Sequence, residues 1–118
     1  MITFEVEWYF NVVFATVLGG AVTTVANLAT TVYLHRGLSH KALTFTRPAH
    51  GAFRLVLWLT TGIRPRQWVA VHRKHHAHTD TRDDPHSPAI HGWWTGQLRN
   101  YAMYRKVARD DANTDRFA

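Results

Sequence analysis

Residues 8–34, WYFNVVFATVLGGAVTTVANLATTVYL, hold no charged side chain over 27 consecutive positions. As an α-helix this stretch reaches about 40 Å, more than the roughly 30 Å hydrocarbon core of a bilayer. Trp8 and Tyr9 stand at one end and Tyr33 at the other, where interfacial aromatics belong. The pattern predicts a transmembrane helix, against the alternative of a core helix softened by Asn11, Asn27 and several threonines. A signal peptide fits less well, because a basic leading region is missing and the apolar run is too long. A second apolar stretch, residues 49–63 (AHGAFRLVLWLTTGI), spans only about 22 Å as a helix and carries Arg54 near its middle. It predicts a re-entrant or interfacial helix that does not cross. Residues 64–66 then form a basic loop ahead of a helix running from Trp68 to His76.

Beyond that helix the pattern turns polar. TDTRDDPHSP, residues 79–88, predicts a solvated series of turns. Residues 91–104, HGWWTGQLRNYAMY, are amphipathic and aromatic, as in a helix lying among lipid headgroups. Residues 105–118 alternate charges without an apolar period and predict a mobile tail. The fold class expected is therefore all-α, an integral membrane helical protein. It has one transmembrane helix (8–34), a cytoplasmic and interfacial part (35–104) and the tail, together one partial domain over 1–118.

Charge orients this arrangement. The net charge is +6, and all fourteen Lys and Arg lie at or after Arg36, while the first 34 residues carry only Glu5 and Glu7. The positive-inside rule then places Arg36 onward in the cytoplasm. The basic set admits three roles: orientation, contact with anionic headgroups, or docking of an anionic substrate handle or acidic electron donor. With no Cys in the chain, disulfides, zinc knuckles and protein-ligated iron–sulfur clusters are excluded.

Candidate chemistry lies in two histidine clusters, His35-Arg-Gly-Leu-Ser-His40 and His72-Arg-Lys-His75-His76. On a helix, residues three and four apart share a face, so His72, His75 and His76 are expected to aim at one point. Converging imidazoles repel when protonated and lose hydration when buried neutral; a transition metal relieves both costs. Spacing alone allows iron, zinc or manganese. His35 and His40, five apart, share no α-helical face, and their pairing requires the helix to end near Gly37. His50 is expected to be structural, His78 and His91 to be surface or interfacial, and His86 to be a turn residue supporting the site. Trp68 either packs in the core or lines a channel. A zinc hydrolase is disfavoured, because H-E-x-x-H is missing and the His72–His78 run contains no acidic residue.

H-R-G-L-S-H after a membrane helix, then W-V-A-V-H-R-K-H-H and D-D-P-H-S-P, resembles the membrane fatty-acid desaturases, specifically the acyl-CoA (Δ9-type) branch as found in bacteria. The likeness covers roughly Tyr33 to Trp94. It implies that His35, His40, His72, His75 and His76 ligate a di-iron centre of two iron ions. It also implies an O2-dependent oxidoreductase that introduces a cis double bond into a saturated acyl chain. The partners implied are an acyl-CoA or other acyl thioester or lipid, membrane lipids, and an external electron donor of the cytochrome b5, ferredoxin or rubredoxin kind. The family also has a third histidine box, after two further membrane helices. His50, His78, His86 and His91 do not reproduce its spacing, so the chain reads as an N-terminal piece that is inactive alone. Two alternatives compete: a related membrane di-iron hydroxylase or alkane monooxygenase, and a non-catalytic basic membrane anchor. Nucleic acid is not expected as a partner.

Overall fold

A computed structural model describes residues 2–118, with side chains from residue 7 onward. Its described residues are helices joined by turns, without a strand. The first helix, α1 (Ile2–Ala29), runs without a break into a π-helical segment, Thr30–Ser39. Together Glu7–Ser39 make one helix long and apolar enough to cross a membrane. Its surface fits that reading: Phe10, Phe14, Val17 and Leu18 are exposed, and among the described side chains of α1 only Ala29 is buried. An all-α chain with one membrane-length helix is the expected class.

A short extended link leads to α2 (Arg47–Thr60), started by a proline in its first turn. Gly62 stops α2 in the left-handed region (φ 66°), its N–H donating back to the Leu57 carbonyl at 3.0 Å. Helix α3 (Pro65–His78) follows, again led by a proline that sacrifices no intrahelical bond. The core lies where the π-helical segment, α2 and the start of α3 meet. Ala29, Tyr33, Leu34 and Leu57 are buried there, with Phe45, Phe53 and Trp68 packed against them. Tyr33 and Phe53 stack in parallel, and Phe45 meets both edge-on. Because α2 is short, the core returns α3 to the end of the long helix that carries the first histidine pair.

After α3 come α4 (Pro88–His91), α5 (Trp93–Ala108) and α6 (Asp111–Phe117). The stretch expected as a mobile tail is helical instead. Asp110 caps α6 by accepting from the Asn113 N–H, and Asn113 and Thr114 are buried. Arg66 and Arg73 of α3 reach Asp115 and the Phe117 carbonyl. The polar composition concealed this helix because its inward face is Asn and Thr rather than aliphatic.

Candidate metal centre

Box one, the cluster His35 to His40, sits at the end of the π-helical segment, with His40 as its C-cap. There the His40 N–H donates to the carbonyl of His35, five residues back, at 3.0 Å. The i→i+5 bond of a π-helix sets these residues one above the other, and their rings lie 4.6 Å apart. The expected helix end near Gly37 is therefore corrected: the helix continues through Ser39, wound wider. Gly37 serves another purpose. It is buried, and a Cβ on it would collide with the Phe45 ring.

Box two sits on the last turns of α3. Its Arg73 binds box one to box two by donating to the carbonyls of Leu38 (2.9 Å) and Ser39 (3.2 Å). These are carbonyls at the end of a helix, where intrahelical donors run out. The Ser39 hydroxyl closes the same end by donating to the Leu34 carbonyl.

Four imidazoles converge as a result. His35, His40, His72 and His76 each offer a ring nitrogen, all within 4.8 Å of one another. His72 Nε2 lies 3.4 Å from His40 Nε2 and 3.1 Å from His76 Nε2. Trp68 stacks flat on His72 at 4.7 Å. Burial, with the neighbouring imidazoles His76, His35, His40 and His75, pushes the His72 pKa down to about 4. At neutral pH His72 is therefore held in the neutral form that ligates metals.

His75 does not join this set. The expectation that His72, His75 and His76 share one focus fails because adjacent helical residues differ by about 100°. Only one of His75 and His76 can follow His72, and it is His76. His75 faces the turn 79–88, where Nδ1 lies 2.9 Å from both oxygens of Asp84. Its ring packs on His86 at 4.5 Å, and His75, Asp84 and His86 form a second group with metal-ligating geometry. The turn expected to be solvated is in fact drawn inward at Asp84 and Ser87, both buried. Burial alone would raise the Asp84 carboxyl, but hydrogen bonds from His75 and from the His86 and Asp80 N–H groups outweigh it. They hold Asp84 below the ordinary carboxylate range.

The other histidines lie outside the four-imidazole cluster. His50 Nδ1 lies 3.0 Å from the Tyr33 hydroxyl in the aromatic core. His78 packs near Phe117. Asp84 was not singled out in the sequence, where it looks like one of several solvated turn acids; its signal was the D-P-H turn placed just after box two. Beside His72 opens a cavity of about 560 Å³, walled by Ile63, Trp68, Val71, Tyr101 and Tyr104. Trp68 thus serves both the core and the cavity.

The donor sets fit transition metals. Four imidazole nitrogens without a carboxylate or thiolate suit iron or zinc far better than magnesium or calcium. Comparison with known proteins agrees in family. The sequence profile described as Fatty acid desaturase matches residues 7–114, and the chain belongs to that family. It is similar to Delta-9 acyl-lipid desaturase 1 of Arabidopsis thaliana, 38% identical over 77 residues, covering 65% of this chain and 25% of that protein. It is also similar to Acyl-CoA C20 Delta5-desaturase of Anemone leveillei, 40% identical over 65 residues, covering 55% of this chain and 20% of that protein. The match to Delta-9 desaturase-like 2 protein of Arabidopsis thaliana covers 23% of that protein, so the chain spans about a quarter or less of these relatives. No solved structure matches it.

Proposed function

We propose that this chain is the N-terminal part of an O2-dependent, di-iron fatty-acid desaturase embedded in a membrane, with its histidines on the cytoplasmic side. The observation that carries the reading is the focus of His35, His40, His72 and His76, ring nitrogens within 4.8 Å of one another, in a chain of the desaturase family. In this reading those four hold one iron, and His75 holds the second together with residues outside this chain. The named relatives divide between acyl-lipid and acyl-CoA types. The substrate class is thus a saturated acyl chain on a lipid or thioester carrier.

Bound iron would supply activation of O2, so that the overall change is –CH2–CH2– + O2 + 2 e⁻ + 2 H⁺ → –CH=CH– + 2 H2O. The electrons come from an external cytochrome b5-, ferredoxin- or rubredoxin-like donor. The protein's own residues perform the positioning. The cavity beside His72 has a volume in the range that takes small organic ligands, and Ile63, Trp68, Val71, Tyr101 and Tyr104 give it an apolar side facing Thr61, His86, Gln97 and Asn100. Trp68, stacked on His72, would seat a methylene pair next to the ligand nitrogens and exclude water from that face. Arg73 holds the two boxes in register through the carbonyls of Leu38 and Ser39.

The test is expression of the complete reading frame containing this chain in a host lacking its own desaturase, followed by gas chromatography of acyl methyl esters. A cis-monounsaturated product, lost with His72→Ala, is expected. A hydroxylated product would replace this reading by a hydroxylase, and unchanged saturated lipids would reject it.

A further inference from the structure

Among the described residues Asp84 is the only buried carboxylate beside the histidine boxes, its side chain fully shielded while His75 stays partly open. Three N–H groups already engage its two oxygens. Oδ1 accepts from His75 Nδ1 at 2.9 Å and from the His86 N–H at 3.1 Å. Oδ2 accepts from His75 Nδ1 at 2.9 Å and from the Asp80 N–H at 3.0 Å. The turn is built to hold it there: the Asp84 N–H donates to Thr81, and Ser87 ties Asp80 while capping α4. An ionised carboxylate only accepts hydrogen bonds, so Nδ1 of His75 must carry the proton. The lone pair of a neutral imidazole then lies on Nε2.

We infer that Asp84 is a positioning residue for the second metal. It locks His75 in the Nδ1–H form and turns Nε2 outward as the ligand atom. This rests on the di-iron reading for the identity of what Nε2 binds, while the tautomer itself does not. Carboxylate–histidine–metal relays of this kind fix ring orientation and raise ligand basicity, and their loss typically weakens metal binding 10–100-fold. The geometry gives the two metal positions unequal support: His75 has a carboxylate behind it, whereas His35, His40, His72 and His76 converge without one.

Asp84→Asn is the informative variant. Its amide can keep one backbone bond, and its NH2 group presents a donor to Nδ1, moving the imidazole proton to Nε2 and blocking ligation. The complete protein, with ¹⁵N-histidine label in lipid nanodiscs, would be measured metal-free at pH 7.5 by ¹⁵N NMR. It would then be titrated with Co(II) by equilibrium dialysis. His75 is expected as Nδ1–H in the wild type and as Nε2–H in Asp84→Asn. Of two Co(II) ions bound, one should weaken 10–100-fold in Asp84→Asn and in His75→Ala, with the other unchanged. An Nε2–H wild type, or two ions held equally tightly by Asp84→Asn, would overturn the inference and leave the di-iron reading standing. A wild type that takes up no Co(II) would overturn both. Should Asp84→Asn fail to fold, the wild-type tautomer alone still decides.

Discussion

His40 donates its backbone N–H to the carbonyl of His35 at 3.0 Å, and this bond is what makes an H-x4-H pair work as one site. In an α-helix five residues rotate a side chain well off its partner's face. The wider winding of Thr30–Ser39 undoes that rotation and brings the rings to 4.6 Å. The price of a π-helix is looser packing, recovered here by filling the adjoining space with Phe45 and Tyr33.

Gly37 is where that packing is tightest. A methyl group there meets the Phe45 ring, so Gly37→Ala should cost about 1–3 kcal/mol, the usual range for overpacking. Adding Phe45→Leu should restore part of the loss, a non-additivity visible in thermal unfolding of the purified chain in detergent. Simple additivity of the two losses would contradict the contact.

Arg73 supports both histidine boxes at once. Its guanidinium donates to the carbonyls of Leu38, Ser39 and Phe117, joining the π-helical segment, α3 and the end of α6. Arg73→Met leaves these acceptors to find other donors and should lower stability by about 1–3 kcal/mol. Arg73→Lys should recover little, because a single ammonium cannot reproduce the planar fork. The same detergent unfolding assay, with Arg36→Met as an exposed control, checks both.

Protonation gives a third expectation, for the metal-free chain. The pKa of His72 is depressed to about 4 when folded, against an ordinary value of 6.5. Between these values the unfolded chain binds the extra proton and the folded chain does not, so stability rises with pH across the window. Stability should therefore be full above pH 6.5 and fall on acidification toward pH 4. Below that, protonation of Asp84, whose folded pKa is also depressed, removes a further contribution. In His72→Gln the loss between pH 6.5 and 4 should shrink, as read from unfolding midpoints at stepped pH.

The cavity beside His72 predicts a separation of binding from metal retention. Ile63→Trp narrows it while leaving every histidine in the sequence unchanged. In the complete protein, conversion of the longest acyl chains should fall most, with metal content unchanged; equal loss for all chain lengths would place the substrate elsewhere.

How much of this the sequence disclosed follows physical lines. The long helix was legible because 27 uncharged residues have few other solutions, and the boxes because imidazole clusters without a metal are costly. The shortness of the second apolar helix was legible too, α2 having 14 residues with Arg54 inside it. The winding at His35–His40 was not legible, since π-helical turns are rare and no residue pattern there marks one. Neither was the division of box two. The spacing H-x-x-H-H permits His72 to pair with His75 or with His76, and Asp84, approaching from a turn nine residues on, is what His75 faces. Helix α6 was missed because Asn113 and Thr114 bury polar side chains where an aliphatic stripe was sought.

His35, His40, His72 and His76 offer four ring nitrogens to one point, the arrangement of an all-nitrogen metal centre. The most direct measurement is iron K-edge X-ray absorption on the Fe(II)-loaded protein in nanodiscs, wild type beside His72→Ala. The expected first shell is dominated by imidazole nitrogen, with its multiple-scattering signature reduced in His72→Ala. A shell of water and carboxylate oxygen, or spectra identical in the two proteins, would contradict it.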